Sequence, residues 1–140
     1  MSFLDTLTKG PLTKKRRTFI YGPHGIGKST WAAGWPNAIF LPTEDGCSDL
    51  NVTRTPALKS ASDVVEAIKE VGKSDFSTLV LDSVDWLEKL VQQDLDREGF
   101  QDAFGRGAVE INRRIGAILR LLDTLIENGK SVILIGHAEI

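Results

Sequence analysis

The residue types best suited to chemistry form one short stretch, from Gly22 to Ser29, which fits G-x-x-x-x-G-K-[ST] at every fixed position. Its glycines permit turns with positive φ, so that successive backbone N–H groups can converge on an anion. Lys28 adds a mobile positive charge for the β- and γ-phosphates, and the Ser29 hydroxyl is suited to ligate Mg²⁺. The stretch therefore predicts a loop that binds nucleotide phosphates. The residues expected to contact the nucleotide are Gly22, Pro23, His24, Gly25, Ile26, Gly27, Lys28, Ser29 and Thr30.

The residues on either side of this loop support the prediction. Residues 18–21 are a short β-branched and aromatic run, and residues 29–33 suit a helix. The order is strand, loop, helix, and the N-terminal partial charge of such a helix favours phosphate. A glycine-rich surface turn that matches the pattern by chance is the weaker alternative.

A carboxylate for the metal is expected at Asp82. Residues 77–82 are an apolar run that ends in this acid, as in a buried parallel strand that delivers a carboxylate. The pattern is weak alone, because many buried strands end in Asp, but it is strong beside a complete phosphate loop. We interpret Asp82 as the Walker B aspartate, which binds Mg²⁺ through water while Ser29 binds it directly.

Two further polar side chains follow predicted strands. Glu44 lies just beyond a short buried strand at residues 38–41, where ligands sit in open α/β sheets, although a turn with helix-capping acids is an equal alternative. His137 ends the strand predicted from residue 131. A lone histidine is more often structural, but beside a phosphate loop it can sense the γ-phosphate or the attacking water.

The remaining pattern alternates between strands and helices. A capping box at residues 60–63 opens one helix, a second follows Asp82, and a third runs from Ala108 to a stop at Asn128 and Gly129. A brief strand is predicted at residues 50–53. The alternation predicts an α/β fold with a mostly parallel sheet flanked by helices.

Two segments are open to more than one interpretation. The run from Lys14 to Arg17 is a solvated edge or a contact to nucleic acid or a partner. Residues 98–107 form a connecting loop, or a mobile loop in which Phe100, Phe104 and Arg106 clamp single-stranded nucleic acid.

Composition limits the function classes. The chain has 140 residues, 41% of them hydrophobic, and a net charge of −2, so it holds one globular core and attracts neither nucleic acid nor membrane through overall charge. A single cysteine, Cys47, excludes an internal disulfide. Without a long apolar run or a secretory segment, we expect a location in the cytoplasm and no membrane partner.

Taken together, these motifs resemble those of the RecA-like phosphate-loop ATPases, and most closely the phage-type nucleotide-binding proteins related to RecA recombinases and single-strand annealing ATPases. The pieces that carry the resemblance are YGPHGIGKST at 21–30, FLPTEDG at 40–46, LVLDSV at 79–84 and VILIGHA at 132–138. In the large branch of these NTPases known as ASCE, a sensor strand lies between the phosphate-loop strand and the Walker B strand. Residues 131–137 match that strand.

The resemblance implies roles for single residues. AAA+ proteins typically carry the catalytic glutamate directly after the Walker B aspartate, where this chain has Ser83. RecA-like enzymes take it from the end of the second strand, which is the position of Glu44. Glu44 is thereby the general base, Lys28 and Mg²⁺ neutralise phosphoryl charge, and His137 takes the sensor position. The implied ligands are ATP, ADP and Mg²⁺, with single-stranded DNA and further copies of the chain as partners in phage recombination or replication within a bacterial or phage-infected cell.

The resemblance also leads us to expect a C-terminally truncated domain, because RecA-like proteins continue well past the sensor strand. We expect residues 1–16 to be a lead-in with a basic run, and residues 17–140 to be the RecA-like nucleotide-binding domain with an incomplete core. Two other functions share the phosphate loop: a small-molecule or nucleotide kinase, and a nucleotide-binding switch module without useful turnover.

Overall fold

The computed structural model describes residues 2–11, 15–44, 49–100 and 105–138. A 3-10 helix, Phe3–Thr6, precedes the sheet. The strands are β1 (Arg17–Gly22), β2 (Ala38–Pro42), β3 (Thr53–Arg54), β4 (Thr78–Asp82) and β5 (Ser131–His137). The helices are α1 (Lys28–Ala33), α2 (Ala61–Gly72), α3 (Val84–Arg97) and α4 (Arg106–Glu127).

The five strands form one sheet in the order β1-β5-β4-β2-β3, and every pair is parallel. This confirms the predicted α/β fold, and it confirms that the last strand lies between the phosphate-loop strand and β4. Because parallel strands all run the same way, their carboxyl ends meet at one edge of the sheet. That edge carries the polar residues singled out above.

The apolar runs explain why β4 and β5 occupy the middle of the sheet. Side chains alternate between the two faces of a strand, so a central strand must be apolar on both. Leu79 and Leu81 of β4 pack in the core under α2, α3 and α4, while Val80 packs with Ile133 on the opposite face, beside Ala32 of α1. The larger core thus lies under the three long helices, and α1 covers part of the other face.

Some predicted boundaries shift. The brief strand expected at residues 50–53 is found at Thr53–Arg54, paired with β2. The capping box before α2 is half formed: the Ser60 hydroxyl accepts a hydrogen bond from the Asp63 N–H, whereas the Asp63 carboxylate accepts the N–H of Lys59. The short side chain of Asp63 reaches a different amide from the one that a glutamate would reach in a complete box.

Both ambiguous segments fall partly outside the described residues. Phe104 and the first residue of the basic run, Lys14, are among those left out, so the predictions on them are untested. Phe100 and Arg106 are exposed on either side of the gap. Arg17 donates a hydrogen bond to the Asp123 carboxylate at 3.0 Å, so this end of the basic run is tied to α4. None of the helices in the described parts of the chain is long and apolar enough to cross a membrane.

A cluster of charges ties the end of α3 to the start of α4. The Arg114 guanidinium donates to the Glu98 carboxylate at 2.6 Å and to the Glu110 carboxylate at 2.9 Å, and Arg113 donates two further hydrogen bonds to Glu110. Hydrogen bonds from Arg113 and Arg114 lower the pKa of Glu110 to about 2. The hydrogen bond from Arg114 also lowers the pKa of Glu98.

These lowered pKa values predict an acid-dependent contribution of Arg114 to stability. Glu110 stabilises the fold above its ordinary pKa of 4.5, and this contribution is lost as the pH falls toward about 2. Arg114→Gln is therefore expected to lower the free energy of unfolding modestly at neutral pH, and the difference from wild type should shrink as Glu98 and Glu110 are protonated. Urea unfolding of both proteins between neutral pH and about pH 2 measures this difference in the free energy of unfolding.

The matched control is Arg120→Gln, which removes the same charge from an exposed position of α4. Its effect on stability should be smaller and nearly independent of pH. Equal effects of the two substitutions at every pH would show that the Arg114 cluster does not stabilise the helix junction.

Candidate functional site

Residues 23–27 join β1 to α1 and form the loop of the predicted phosphate-binding stretch, Gly22 to Ser29. Gly25 and Gly27 have φ of 84° and 92°, in the left-handed region that favours glycine, as expected. Gly22 differs from the expectation, because its φ is not positive. A Cβ at Gly22 would lie 2.4 Å from Cδ1 of Ile26, so this glycine provides room for the Ile26 side chain. Two of the three glycines therefore shape the turn, and the third provides space.

Lys28 opens α1, and its side chain bends back across the loop. Nζ donates to the carbonyl oxygens of Gly22 at 2.7 Å and of Pro23 at 2.8 Å, and the residue is only 5% exposed. An ammonium has three N–H donors, so one remains for a ligand. The loop therefore holds a buried ammonium whose partners among the described residues are neutral carbonyl oxygens.

Ser29 and Asp82 meet beside this lysine. The Ser29 hydroxyl donates to Oδ2 of Asp82 at 2.7 Å, and Asp82 is 3% exposed at the end of β4. The two residues are 53 positions apart in the chain, and the fold brings them into direct contact. Their oxygen atoms are the ligand type that Mg²⁺ prefers, so this pair fits the predicted magnesium ligands.

Glu44 and His137 flank Asp82 symmetrically. Asp82 pairs with Pro42 on β2 and with Ile135 on β5, and Glu44 and His137 each lie two residues beyond those partners. The His137 ring nitrogen Nε2 lies 3.1 Å from Oε1 of Glu44. Ligand atoms of Glu44, Asp82 and His137 all lie within 4.8 Å of one another. The parallel sheet thus brings together three residues that are far apart in the chain.

His137 is held through both its ring and its backbone. Its centroid lies 4.0 Å from that of His24, with the two rings nearly parallel, and its backbone N–H donates to the Asp85 carboxylate at 2.7 Å. Its other nitrogen, Nδ1, is buried and has no hydrogen-bond partner among the described residues. The stack on His24 and the contact with Asp85 were not predicted, because nothing local in the sequence shows which residues face each other across loops.

A clasp between Thr43 and Ser83 extends the β2–β4 pairing past the strand ends. The Thr43 hydroxyl donates to the Ser83 carbonyl at 2.9 Å and accepts from the Ser83 N–H at 2.9 Å, and the Thr43 N–H donates to the Asp82 carbonyl. Both Thr43 and Ser83 are buried, and the peptide bond between Asp82 and Ser83 is cis. The clasp fixes the backbone on which Glu44 and Asp82 are carried. Sequence reasoning missed it.

These residues surround a cavity of about 350 Å³. It gathers both predicted metal ligands, the lysine, Glu44 and His137. Its lining is His24, Gly25, Gly27, Lys28, Ser29, Thr30, Glu44, Asp49, Leu50, Asp82 and His137. Of the predicted phosphate-binding residues, Gly22, Pro23 and Ile26 do not line it, and Ile26 is 60% exposed.

The clasp predicts a specific loss of stability. Thr43→Val keeps the shape of the side chain but leaves the buried Ser83 N–H without its acceptor, so we expect the free energy of unfolding to fall by about 1–3 kcal/mol. Thr43→Ser keeps the hydroxyl and removes one methyl group, which costs about 0.8 kcal/mol. Chemical denaturation of the three proteins measures this. If the valine variant were as stable as the serine variant, the clasp would carry no energetic weight.

Comparison with known proteins agrees with this geometry. A family model described as an AAA domain matches residues 14–140, which is nearly the whole chain. No curated protein matches the chain. The match supports the phosphate-loop ATPase part of the resemblance, and nucleotide binding and ATP hydrolysis are the activities general to such domains. The chain therefore belongs to the AAA domain family of phosphate-loop ATPase domains.

Proposed function

We propose that this protein binds ATP with Mg²⁺ and hydrolyses it through a RecA-like arrangement of residues. The observation that carries the proposal is the convergence, in one cavity, of Lys28, the Ser29–Asp82 pair and Glu44. A phosphate-loop lysine, oxygen ligands for Mg²⁺ and a further carboxylate to act as the base are the parts that phosphoryl transfer to water needs.

Nucleotide binding rests on Lys28, Ser29 and Asp82. The Lys28 ammonium can exchange its bonds to the carbonyls of Gly22 and Pro23 for bonds to β- and γ-phosphate oxygens. The Ser29 hydroxyl and the Asp82 carboxylate would hold Mg²⁺, Ser29 directly and Asp82 through water. Mg²⁺ bound there supplies positive charge that neutralises the phosphate oxygens.

Hydrolysis rests on Glu44. Its carboxylate takes a proton from the attacking water as the new bond to the γ-phosphorus forms and the bond to the leaving β-phosphate oxygen breaks. His137, 3.1 Å from this carboxylate, orients it and takes the sensor position beside the γ-phosphate. The residue after Asp82, Ser83, is fully buried and bonded to Thr43, which favours Glu44 over that position as the source of the base.

The biological setting rests on the resemblance to phage-type RecA-related proteins. We propose a domain at residues 17–140 with a lead-in at residues 1–16, in the cytoplasm of a bacterial or phage-infected cell. It implies action on single-stranded DNA in recombination or replication, and assembly with further copies of the chain. The exposed Phe100 and Arg106 are suited to stack on bases, and a net charge of −2 requires any DNA contact to be local.

A second candidate, a small-molecule kinase, is favoured by one observation. A larger cavity of about 810 Å³ adjoins the first and shares His24, Glu44 and His137 with it. Trp86 and Lys89 line its far side, with the Lys89 ammonium 4.2 Å from the centre of the Trp86 ring. An acceptor hydroxyl held there would take the place of water at Glu44.

Binding and turnover should separate in two substitutions. Lys28→Ala is expected to abolish productive ATP binding, because it removes the charge that the loop holds for phosphate. Glu44→Gln should leave ATP affinity within a few-fold of wild type and reduce hydrolysis by about 10²-fold or more, as for loss of a general base. Calorimetric binding of ATP and phosphate release with Mg²⁺ measure the two effects.

The matched control is Glu127→Gln, the same change at an exposed position at the end of α4. It should leave both binding and turnover unchanged. Hydrolysis at the wild-type rate by Glu44→Gln would remove Glu44 from the mechanism.

Single-stranded DNA should raise the rate of ATP hydrolysis, and Phe100→Ala should weaken DNA binding by roughly tenfold if its ring stacks on a base. Val109→Ala, at an exposed apolar residue of α4, is the control and should bind DNA normally. Fluorescence anisotropy with a labelled oligonucleotide gives the affinities.

The same assays distinguish the other two functions. A kinase would consume ATP only with a small acceptor, would release no phosphate and would not respond to DNA. A switch module would bind ATP tightly without turnover.

A further inference from the structure

Glu44, Asp82 and His137 combine two carboxylates with an imidazole nitrogen, and their ligand atoms lie within 4.8 Å of one another. We propose that these three residues form a site for a divalent transition-metal ion of the Zn²⁺ or Co²⁺ type in the nucleotide-free protein. The site differs from the proposed magnesium site, which uses Ser29 and Asp82. It requires neither ATP nor hydrolysis, so it goes beyond the proposed function.

The spacing of the ligand atoms suits such an ion. Ligands at about 2.0–2.2 Å from a metal lie roughly 3 Å apart when they are neighbours in its coordination shell. Nε2 of His137 and Oε1 of Glu44 are already 3.1 Å apart. Asp82 needs a small closure of the group to complete the set, and the hydroxyl of Ser29 engages only its Oδ2. The second oxygen of Asp82, Oδ1, can therefore serve as the ligand.

The nitrogen ligand determines which ion is favoured. Mg²⁺ prefers oxygen ligands and dehydrates reluctantly, whereas imidazole suits Zn²⁺, Co²⁺ and related ions. The hydroxyl of Ser29 is not needed by the transition metal. The two kinds of cation thus share one ligand, Asp82, and differ in the others.

The His137 ring is held in place for metal binding, but its second nitrogen lacks a hydrogen-bond partner among the described residues. The stack on His24 holds the ring and the hydrogen bond to Asp85 holds its backbone, which reduces the cost of ordering the ligand. Nδ1, however, has no hydrogen-bond partner among the residues that the structure describes. Outer partners of a metal-bound histidine typically strengthen binding about 10- to 100-fold, so we expect the affinity to fall short of that of a structural zinc site.

A metal held by Glu44 and Asp82 would have a consequence for the proposed ATPase. It would occupy the carboxylate proposed as the base and one ligand of the magnesium ion. Transition metal and Mg²⁺-ATP should then compete for the protein, an expectation that rests on the proposed function.

The test is titration of the nucleotide-free protein with Co²⁺, followed by its visible absorption and by calorimetry. The parent protein carries Cys47→Ser, because a cysteine thiol outside the described residues would otherwise compete for the metal. We expect one Co²⁺ per chain. His137→Gln and Glu44→Gln should each weaken binding at least about tenfold, as expected for the loss of one of three ligands.

Two variants serve as controls for position. His24→Gln removes the other histidine of the chain, which stacks on His137 but is not among the three proposed ligands, and Glu127→Gln makes the same change as Glu44→Gln at an exposed position of α4. Glu127→Gln should keep Co²⁺ affinity within about threefold of the parent, and His24→Gln should lose less affinity than His137→Gln because it removes a ring contact but no ligand. Circular dichroism of each variant establishes that it is folded, and Glu44→Gln tests the proposal if His137→Gln is not.

Three results would overturn the proposal: no stoichiometric Co²⁺ binding by the parent, unchanged affinity in both His137→Gln and Glu44→Gln, or an equal loss in His24→Gln and His137→Gln. The readout does not involve ATP, so failure of the proposed ATPase activity would leave it intact. Conversely, ATP hydrolysis by a protein that bound no Co²⁺ would overturn the proposed transition-metal site and leave the proposed ATPase function intact.

Discussion

The burial of one carboxylate, Asp82, is the constraint on which the rest of the site depends. A charge taken out of water costs several kcal/mol unless partners compensate it, and Asp82 is 3% exposed in the centre of the sheet. Its first partner is the Ser29 hydroxyl, which ties the phosphate loop to β4. Its neighbours on either side are the ends of β2 and β5, which bring Glu44 and His137 to the same edge. The loop, the strand order and the site are therefore parts of one arrangement.

The electrostatics of this arrangement are unbalanced without a ligand. Three acidic residues, Glu44, Asp49 and Asp82, line the cavity with one lysine, and the Lys28 ammonium is turned toward the loop carbonyls. The site therefore attracts a cation, either Mg²⁺ accompanying a nucleotide or an ion that can also use an imidazole. Both proposed cation sites follow from this excess of negative charge. They share Asp82 and differ in the other ligands, which are Ser29 for Mg²⁺ and Glu44 with His137 for the transition metal.

Much of the fold was predictable from the sequence because its strands are buried on both faces. Such strands are continuous apolar runs, and the phosphate loop and Asp82 follow two of them directly. The place of β5 between β1 and β4 came from the resemblance to RecA-like proteins, since no local pattern encodes which strands are neighbours. The convergence of Glu44, Asp82 and His137 depends on that order.

The contacts that could not be predicted depend on how the strands are aligned and on the space available to side chains. The Thr43–Ser83 clasp joins residues 40 positions apart, and the His24–His137 stack joins a loop to a strand end. The sequence contains no signal for either contact, because each is decided by where two chain segments stop. Gly22 shows a related difficulty: the motif predicts a glycine there, but only the contact with Ile26 reveals that space, not φ, is the reason.

Ser83 provides the sharpest physical argument about where the catalytic carboxylate belongs. Its backbone N–H and carbonyl are both bonded to the Thr43 hydroxyl, its side chain is fully buried, and its own hydroxyl has no partner among the described residues. A glutamate at this position would bury a second charge beside Asp82 with no donor to meet it. Glu44, by contrast, lies beyond the end of β2 and lines the cavity. The Thr43–Ser83 clasp therefore leaves no room for a charged side chain at position 83, and it fixes the backbone next to Glu44. This is the physical basis for proposing Glu44 as the base.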